Sequence, residues 1–188
     1  MHMMLDLETA GNGADTVVLS AGMVLFDPFS ELIGKTKYWV LPFDEQLKLG
    51  RVITPSTLVW WMSQSAEAQE AFKASVEYKN DPAINPTLYE SVLEIVNYAR
   101  GAKAVWGNGA AFDNTIMRSL SYGLKTKDEW PWNKDACYRT IANLARAKAG
   151  TDWYPKNNRG VHHNALDDAI WQAKALQGAF KVLGITSY

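Results

Sequence analysis

A single cysteine, Cys137, is all the thiol the 188-residue chain contains. That excludes an intramolecular disulfide and a cysteine-rich zinc module. Cys137 itself reads as a core or helix-edge thiol rather than a nucleophile. Neither charge is in excess: 19 Lys and Arg against 20 Asp and Glu leave a net charge of -1. A globally basic nucleic-acid binder is therefore not indicated, although an enzyme that grips a short strand locally is not excluded. No uninterrupted apolar run has membrane-spanning length, and the apolar start is broken at Asp6 and Glu8. Neither a membrane span nor a signal peptide is expected, and a cytoplasmic setting is the default. The chain also lacks repeats, low-complexity segments and a linker, so residues 1–188 read as one domain.

What is present is an ordinary globular composition, 47% hydrophobic, with eight tryptophans destined mostly for the core and in part for stacking surfaces. Met3–Leu7 reads as a buried strand, followed by a Gly11-Asn12-Gly13 turn. Val17–Phe26 and Lys37–Leu41 read as two further strands, spaced for an antiparallel meander. Thr54-Pro55 and Asn85-Pro86 each read as a cap followed by proline at a helix start. The first such helix carries Leu58, Trp61 and Met62 on one side, and a short helix over Ala66–Lys73 follows Ser65. The helix after Asn85-Pro86 carries Leu88, Val92, Ile95, Val96 and Ala99 at helical spacing and stops before Gly101. Short strands at Ala104–Trp106 and Ala136–Tyr138 precede helices over Phe112–Leu124 and Thr140–Lys148. Thr151–Val161 reads as a mobile loop, and Ala165–Leu183 as a long closing helix. Strands first, then strand and helix in alternation, argue for a mixed sheet with helices on its faces.

Asp6 and Glu8 alternate on the first strand, so their carboxylates point together. Two readings stand: an exposed strand end solvated by water, or half of a divalent metal site whose cation cancels the repulsion. Asp113 lands in the first turn of a helix after Gly107-Asn108-Gly109, a place that favours a carboxylate in any case. A dinucleotide loop is disfavoured there, because Phe112 occupies the third glycine position and the strand opens no evident βαβ unit. In His162-His163-Asn164-Ala165-Leu166-Asp167-Asp168-Ala169, His163 precedes Asp168 by five residues, and Asp167 serves the helix dipole. Between Arg139 and His163, basic Arg146, Lys148, Lys156 and Arg159 face Asp152 alone. That local charge could steer a phosphate-bearing strand towards the histidines.

Asp6-Leu7-Glu8-Thr9, Asn108-Gly109-x-x-Phe112-Asp113 and His163-Asn164-Ala165-Leu166-Asp167-Asp168-Ala169 together resemble the three motifs of the DEDDh exonucleases, in the DnaQ-like, ribonuclease-H-like superfamily. Trp60-Trp61 and Gln64-Ser65-x-Glu67-Ala68 are similar to the subgroup that holds the T-even phage exonuclease A and the mycobacterial 3′–5′ exoribonuclease. Cys137-Tyr138-Arg139-Thr140 sits where that subgroup often has Asp-x-Arg-Thr, with Cys137 in place of the acid. The resemblance implies an α/β, ribonuclease-H-like mixed five-stranded sheet, three antiparallel strands first, with helices on both faces. It implies a metal-dependent 3′–5′ exonuclease acting on DNA or RNA 3′ ends and releasing nucleoside 5′-monophosphates. Two Mg²⁺ or Mn²⁺ ions would be held by Asp6, Glu8, Asp113 and Asp168, with His163 as general base on the attacking water. Thr9 would receive the terminal 3′-hydroxyl, Trp60, Trp61 and Phe112 are candidates to stack on terminal bases, and Arg139 and Arg159 would meet the substrate; one of the two adjacent tryptophans reads equally as core, because neighbours on a helix cannot both face one site. A homodimer is compatible with the subgroup. The reading from another class is a nucleic-acid-binding module that keeps the fold without catalysis.

Overall fold

A computed structural model of the chain describes all residues except 80, 82, 110, 127–129, 157–159 and 188. Arg159 and part of the loop expected to be mobile therefore lie outside the described residues. Three strands come first, β1 (His2–Thr9), β2 (Val18–Phe26) and β3 (Ile33–Val40). Four helices follow, α1 (Phe43–Lys48), α2 (Pro55–Met62), α3 (Ala66–Val76) and α4 (Leu88–Arg100). The chain then runs through β4 (Val105–Gly107), α5 (Asp113–Gly123), β5 (Asp135–Cys137), α6 (Tyr138–Ala149) and α7 (Ala165–Leu183).

The sheet order is β3-β2-β1-β4-β5, with β1 antiparallel to β2, β2 antiparallel to β3, and β4 parallel to both β1 and β5. This is the mixed five-stranded sheet the sequence predicts. Its two faces follow from alternation along β1. Met3, Leu5 and Leu7 join the apolar cluster that includes Val92 and Ile95 of α4 and Ile116 and Met117 of α5. Met4 joins the opposite cluster, with Ala142 of α6 and Ala173, Leu176 and Phe180 of α7. Asp6 and Glu8 share the parity of Met4 and therefore face α7.

Several local expectations are corrected. The helix expected at Asn85-Pro86 starts later, because Thr87 and Glu90 form a reciprocal capping box that fixes the first turn at Leu88. Thr54 occupies the cap position of α2, but its side chain makes no capping bond and Pro55 alone marks the start. On α2 only Trp61 is buried, while Met62 is 79% exposed. The Trp61 indole donates to the Thr9 carbonyl at 2.9 Å, turning that position inward and leaving its neighbour about 100° away. The α1 helix was not expected; it is six residues long and has no side-chain cap.

Candidate metal centre

One glycine lets the site form. Gly22 on β2 pairs with Asp6 on β1, and the first turn of α7 lies directly on it. A Cβ at Gly22 would stand 2.3 Å from the Ala165 carbonyl carbon and oxygen and from the Leu166 nitrogen. That close approach brings Asp168 down onto the Asp6–Glu8 face. The same turn is capped by Asn164, whose Oδ1 accepts from the Leu166 and Asp167 amides. Asp6, Glu8 and Asp168 are all buried, and an oxygen from each lies within 4.8 Å of the others. The solvated-strand-end reading of Asp6 and Glu8 therefore fails.

Asp113 joins from the opposite layer. Its Oδ1 accepts the Leu7 amide at 3.2 Å, while its Oδ2 is buried with no hydrogen-bond partner. Gly107 makes room for it, since a Cβ there would meet the Asp113 Cβ at 3.0 Å. Burial first, then the neighbouring acids Asp113, Glu8 and Asp168, raise the Asp6 pKa well above the usual carboxylate range. Burial followed by the charges of Asp168 and Asp113 pushes Glu8 up to about 8. Burial pushes Asp113 up to about 7, partly offset by the Leu7 and Asn108 amides and by Arg139. Carboxylates this crowded hold their charges together at neutral pH only with a cation among them. The donor set is all oxygen and includes an orphaned one, Oδ2 of Asp113, which suits a hard divalent cation.

His163 stands at the rim of the cluster, half-buried, with a left-handed backbone at φ 65°. Its amide donates to Asp168 Oδ2 at 3.1 Å, which ties the loop before α7 to that carboxylate. Its ring meets Trp60 edge-on at 4.8 Å and Trp61 at 6.2 Å. Exposed His162 packs on His163 at 3.8 Å, and both rings can reach the Asp168 carboxylate. Asp167 is turned away, with its Oδ2 accepting the Val161 amide at 2.8 Å.

The remaining expected residues divide. Thr9 is buried beside a bulge at the end of the β1–β2 pairing, its hydroxyl donating to the Gly11 carbonyl at 2.8 Å. Trp60 is 40% exposed and lines a pocket of about 360 Å³ with Asn12, Ser56 and Thr57. Trp61 is 3% exposed, so of the two adjacent tryptophans it is the one whose ring packs in the core, and Trp60 is the one left to stack. Phe112 is partly buried against the core below α5. Arg139 donates to the Asn108 carbonyl at 2.6 Å and lies along Gly109, at the mouth beside Asp113. A larger cleft of about 910 Å³, lined by Phe29, Trp153, Phe180 and Ile185 among others, contains none of Asp6, Glu8, Asp113 and Asp168.

Two participants were missed in the sequence. Gln172 of α7 donates from Nε2 to Asp6 Oδ1 at 2.6 Å. Its signal was a polar residue four positions after Asp168 on an otherwise apolar stripe. Asp135 of β5 accepts from Asn114 at 2.9 Å, Arg118 at 2.9 Å and Trp130 at 2.7 Å. It ties the start of α5, and so Asp113, to the sheet. No motif pointed to it.

The family described as "3'-5' exoribonuclease Rv2179c-like domain" matches residues 1–180. The chain belongs to this family. It is also 32% identical over 123 residues to the exodeoxyribonuclease of Enterobacteria phage T4, a match that covers 62% of the chain and 54% of the phage protein. The chain thus spans about half the length of that relative. Among solved structures, this Rv2179c-like chain is similar to exonuclease X in complex with 5′ overhanging duplex DNA, with a TM-score of 0.57 at 17% identity, covering 98% of this chain and 93% of the other. It is similar as well to the nuclease domain of 3'hExo, a DEDDh family member bound to rAMP, with a TM-score of 0.57 at 11% identity over 99% and 94%. At such identities these likenesses establish the fold, that of ribonuclease-H-like exonucleases.

Proposed function

We propose that this Rv2179c-like protein is a 3′–5′ exonuclease that hydrolyses DNA or RNA from the 3′ end and releases nucleoside 5′-monophosphates. The observation that carries this reading is the buried cluster of Asp6, Glu8 and Asp168, with Asp113 beside it and His163 at its rim. Asp6, Glu8, Asp113 and Asp168 would hold two divalent cations, Mg²⁺ or Mn²⁺. Bound there, such ions supply Lewis-acid polarisation of the phosphodiester and stabilise charge on the leaving oxygen. His163 takes the proton of the attacking water from the open side, and its left-handed backbone, tied to Asp168, keeps the ring at the rim. Thr9 keeps acceptor lone pairs free while its proton is given to Gly11, which suits a terminal 3′-hydroxyl as donor. The pocket beside Trp60 offers an aromatic edge with the amide of Asn12 and the hydroxyls of Ser56 and Thr57 to a terminal nucleoside. Arg139, and Arg159 by the sequence reading, would meet the phosphates behind it.

The family name speaks of RNA and the phage relative's name of DNA. Both substrates belong in the test: matched 5′-labelled DNA and RNA oligonucleotides, with and without overhangs, incubated with Mg²⁺, Mn²⁺ or EDTA. A metal-dependent ladder shrinking from the 3′ end is expected on at least one. Binding without shortening would favour the non-catalytic module, a reading the complete acid-and-histidine set argues against. No helix among the described residues is long and apolar enough to cross a membrane, and the proposal includes a cytoplasmic setting. It also includes a homodimer, readable in sedimentation as twice 21.0 kDa.

A further inference from the structure

Gln172 is 2% exposed and lies one helical turn after Asp168, on the same face of α7. Apart from Asp168, the other buried positions of that helix are all Ala, Leu or Phe. An amide in such a stripe is unfavourable unless its hydrogen bonds are made. Gln172 makes one of them well: Nε2 donates to Asp6 Oδ1 at 2.6 Å. Its Oε1 is buried with no partner. Leucine or methionine would fill a similar volume without burying an unpaired acceptor, so packing does not account for an amide here.

We propose that Gln172 is a positioning residue for Asp6, holding that carboxylate in the orientation in which it binds a divalent cation. The inference rests on the reading of the carboxylate cluster as a cation site. The choice of side chain fits the task. Lysine or arginine would hold Asp6 equally well but would cancel the charge that attracts the cation. A carboxylate would add to the repulsion among Asp6, Glu8 and Asp168. A neutral donor fixes one oxygen and leaves the net charge of the cluster unchanged. With an ionised Asp6 the amide nitrogen must be the end that faces it, because a carboxylate only accepts. Helix α7 therefore contributes twice, supplying Asp168 as a ligand and clamping the ligand on the opposing strand.

The test is Gln172→Met, with Gln172→Asn as a second variant that keeps an amide one methylene short of Asp6. Mn²⁺ binding is measured calorimetrically without nucleic acid, alongside melting in EDTA and kcat and KM on a labelled oligonucleotide. Both variants should melt in EDTA close to wild type and bind Mn²⁺ about 10–100-fold more weakly, the usual range for a residue that orients a metal ligand. Their kcat should fall at low Mn²⁺ and recover as Mn²⁺ is raised, with KM for the oligonucleotide unchanged. A lower melting point with wild-type Mn²⁺ affinity would mean a merely structural role and overturn the proposal. Asp6→Asn separates the two levels. Mn²⁺ binding that is lost in Asp6→Asn but intact in both Gln172 variants overturns the role of Gln172 alone. Absence of Mn²⁺ binding by the wild-type protein overturns the cation site and the proposal together.

Discussion

Replacing Gly22 by alanine adds one methyl group at the point where β2 and α7 touch. That Cβ would lie 2.3 Å from three backbone atoms of Ala165 and Leu166, so the gap must open by about 1.1 Å to reach the 3.4 Å at which ordinary contact begins. None of the three atoms is the end of a flexible side chain, and the strand opposite is held by its pairing of Gly22 with Asp6 and of Gly22 with Tyr38. The start of α7 has to move, and Asp168 moves with it. Overpacking of this kind costs about 1–3 kcal/mol. For a chain of this length that lowers Tm by roughly 2–12 °C. The catalytic loss should be larger in proportion, because a displacement of about 1 Å among reacting groups costs about 100-fold in rate. The assay is kcat/KM on a 5′-labelled oligonucleotide, measured well below the variant's Tm, beside Mn²⁺ affinity. Gly101→Ala is the control, since nothing lies within 4 Å of a Cβ there. Wild-type rate, Mn²⁺ affinity and Tm in Gly22→Ala would refute the reasoning that this contact sets the site.

Removing metal should expose the charge repulsion. Glu8 and Asp113 have folded pKa values of about 8 and about 7, above their unfolded values of about 4, so the fold holds more protons than the unfolded chain and loses stability as pH rises from the unfolded values to the folded ones. In EDTA the Tm should therefore fall from about pH 5 to 8, and Mn²⁺ should remove the slope; a flat EDTA profile would contradict it. His2 works in the opposite direction: burial first, then the N-terminus and Lys103, hold its imidazole at about 4, so its own contribution to stability is lost as pH drops from 6.5 towards 4, against the gain from the carboxylates. His2→Gln should therefore make the EDTA Tm rise more steeply as pH falls from 6.5 to 4, and a slope equal to that of the wild type would count against it. His163→Ala should lower the single-turnover rate by about 10²–10⁴-fold near neutral pH with little change in Mn²⁺ binding, and His162→Ala should cost much less. A larger loss for His162→Ala would shift the catalytic register by one residue.

The parts of the fold that rest on local pattern were legible. The alternation in β1, the helical spacing of Leu88, Val92, Ile95 and Ala99, and the bounds of α7 are all as the sequence predicts. The acid cluster was legible in two ways: alternation pairs Asp6 with Glu8 on β1, and the resemblance to the DEDDh motifs is what joined Asp113 and Asp168 to them. What escaped depends on contacts between distant segments. Nothing near Trp61 indicates that its indole will cap the Thr9 carbonyl, yet that bond decides which of two adjacent tryptophans faces the site. Nor does anything near Gln46 show that its amide will bond both the N–H and the C=O of Val18, which is what anchors the short α1 helix beside β2. Asp135 escaped for the same reason, since its three donors come from residues 114, 118 and 130.

The central claim is that Asp6, Glu8 and Asp168 hold the cation on which 3′-end cleavage depends. It is tested most directly by following a 5′-labelled oligonucleotide with wild-type protein, Asp6→Asn, Glu8→Gln and Asp168→Asn, each in Mn²⁺ and in EDTA. The account predicts a ladder shrinking from the 3′ end for the wild type in Mn²⁺ alone. The three variants should be slower by orders of magnitude in Mn²⁺, and Asp6→Asn and Glu8→Gln should melt in EDTA at or above the wild-type Tm. Wild-type rates in all three variants, or a ladder that persists in EDTA, would contradict it.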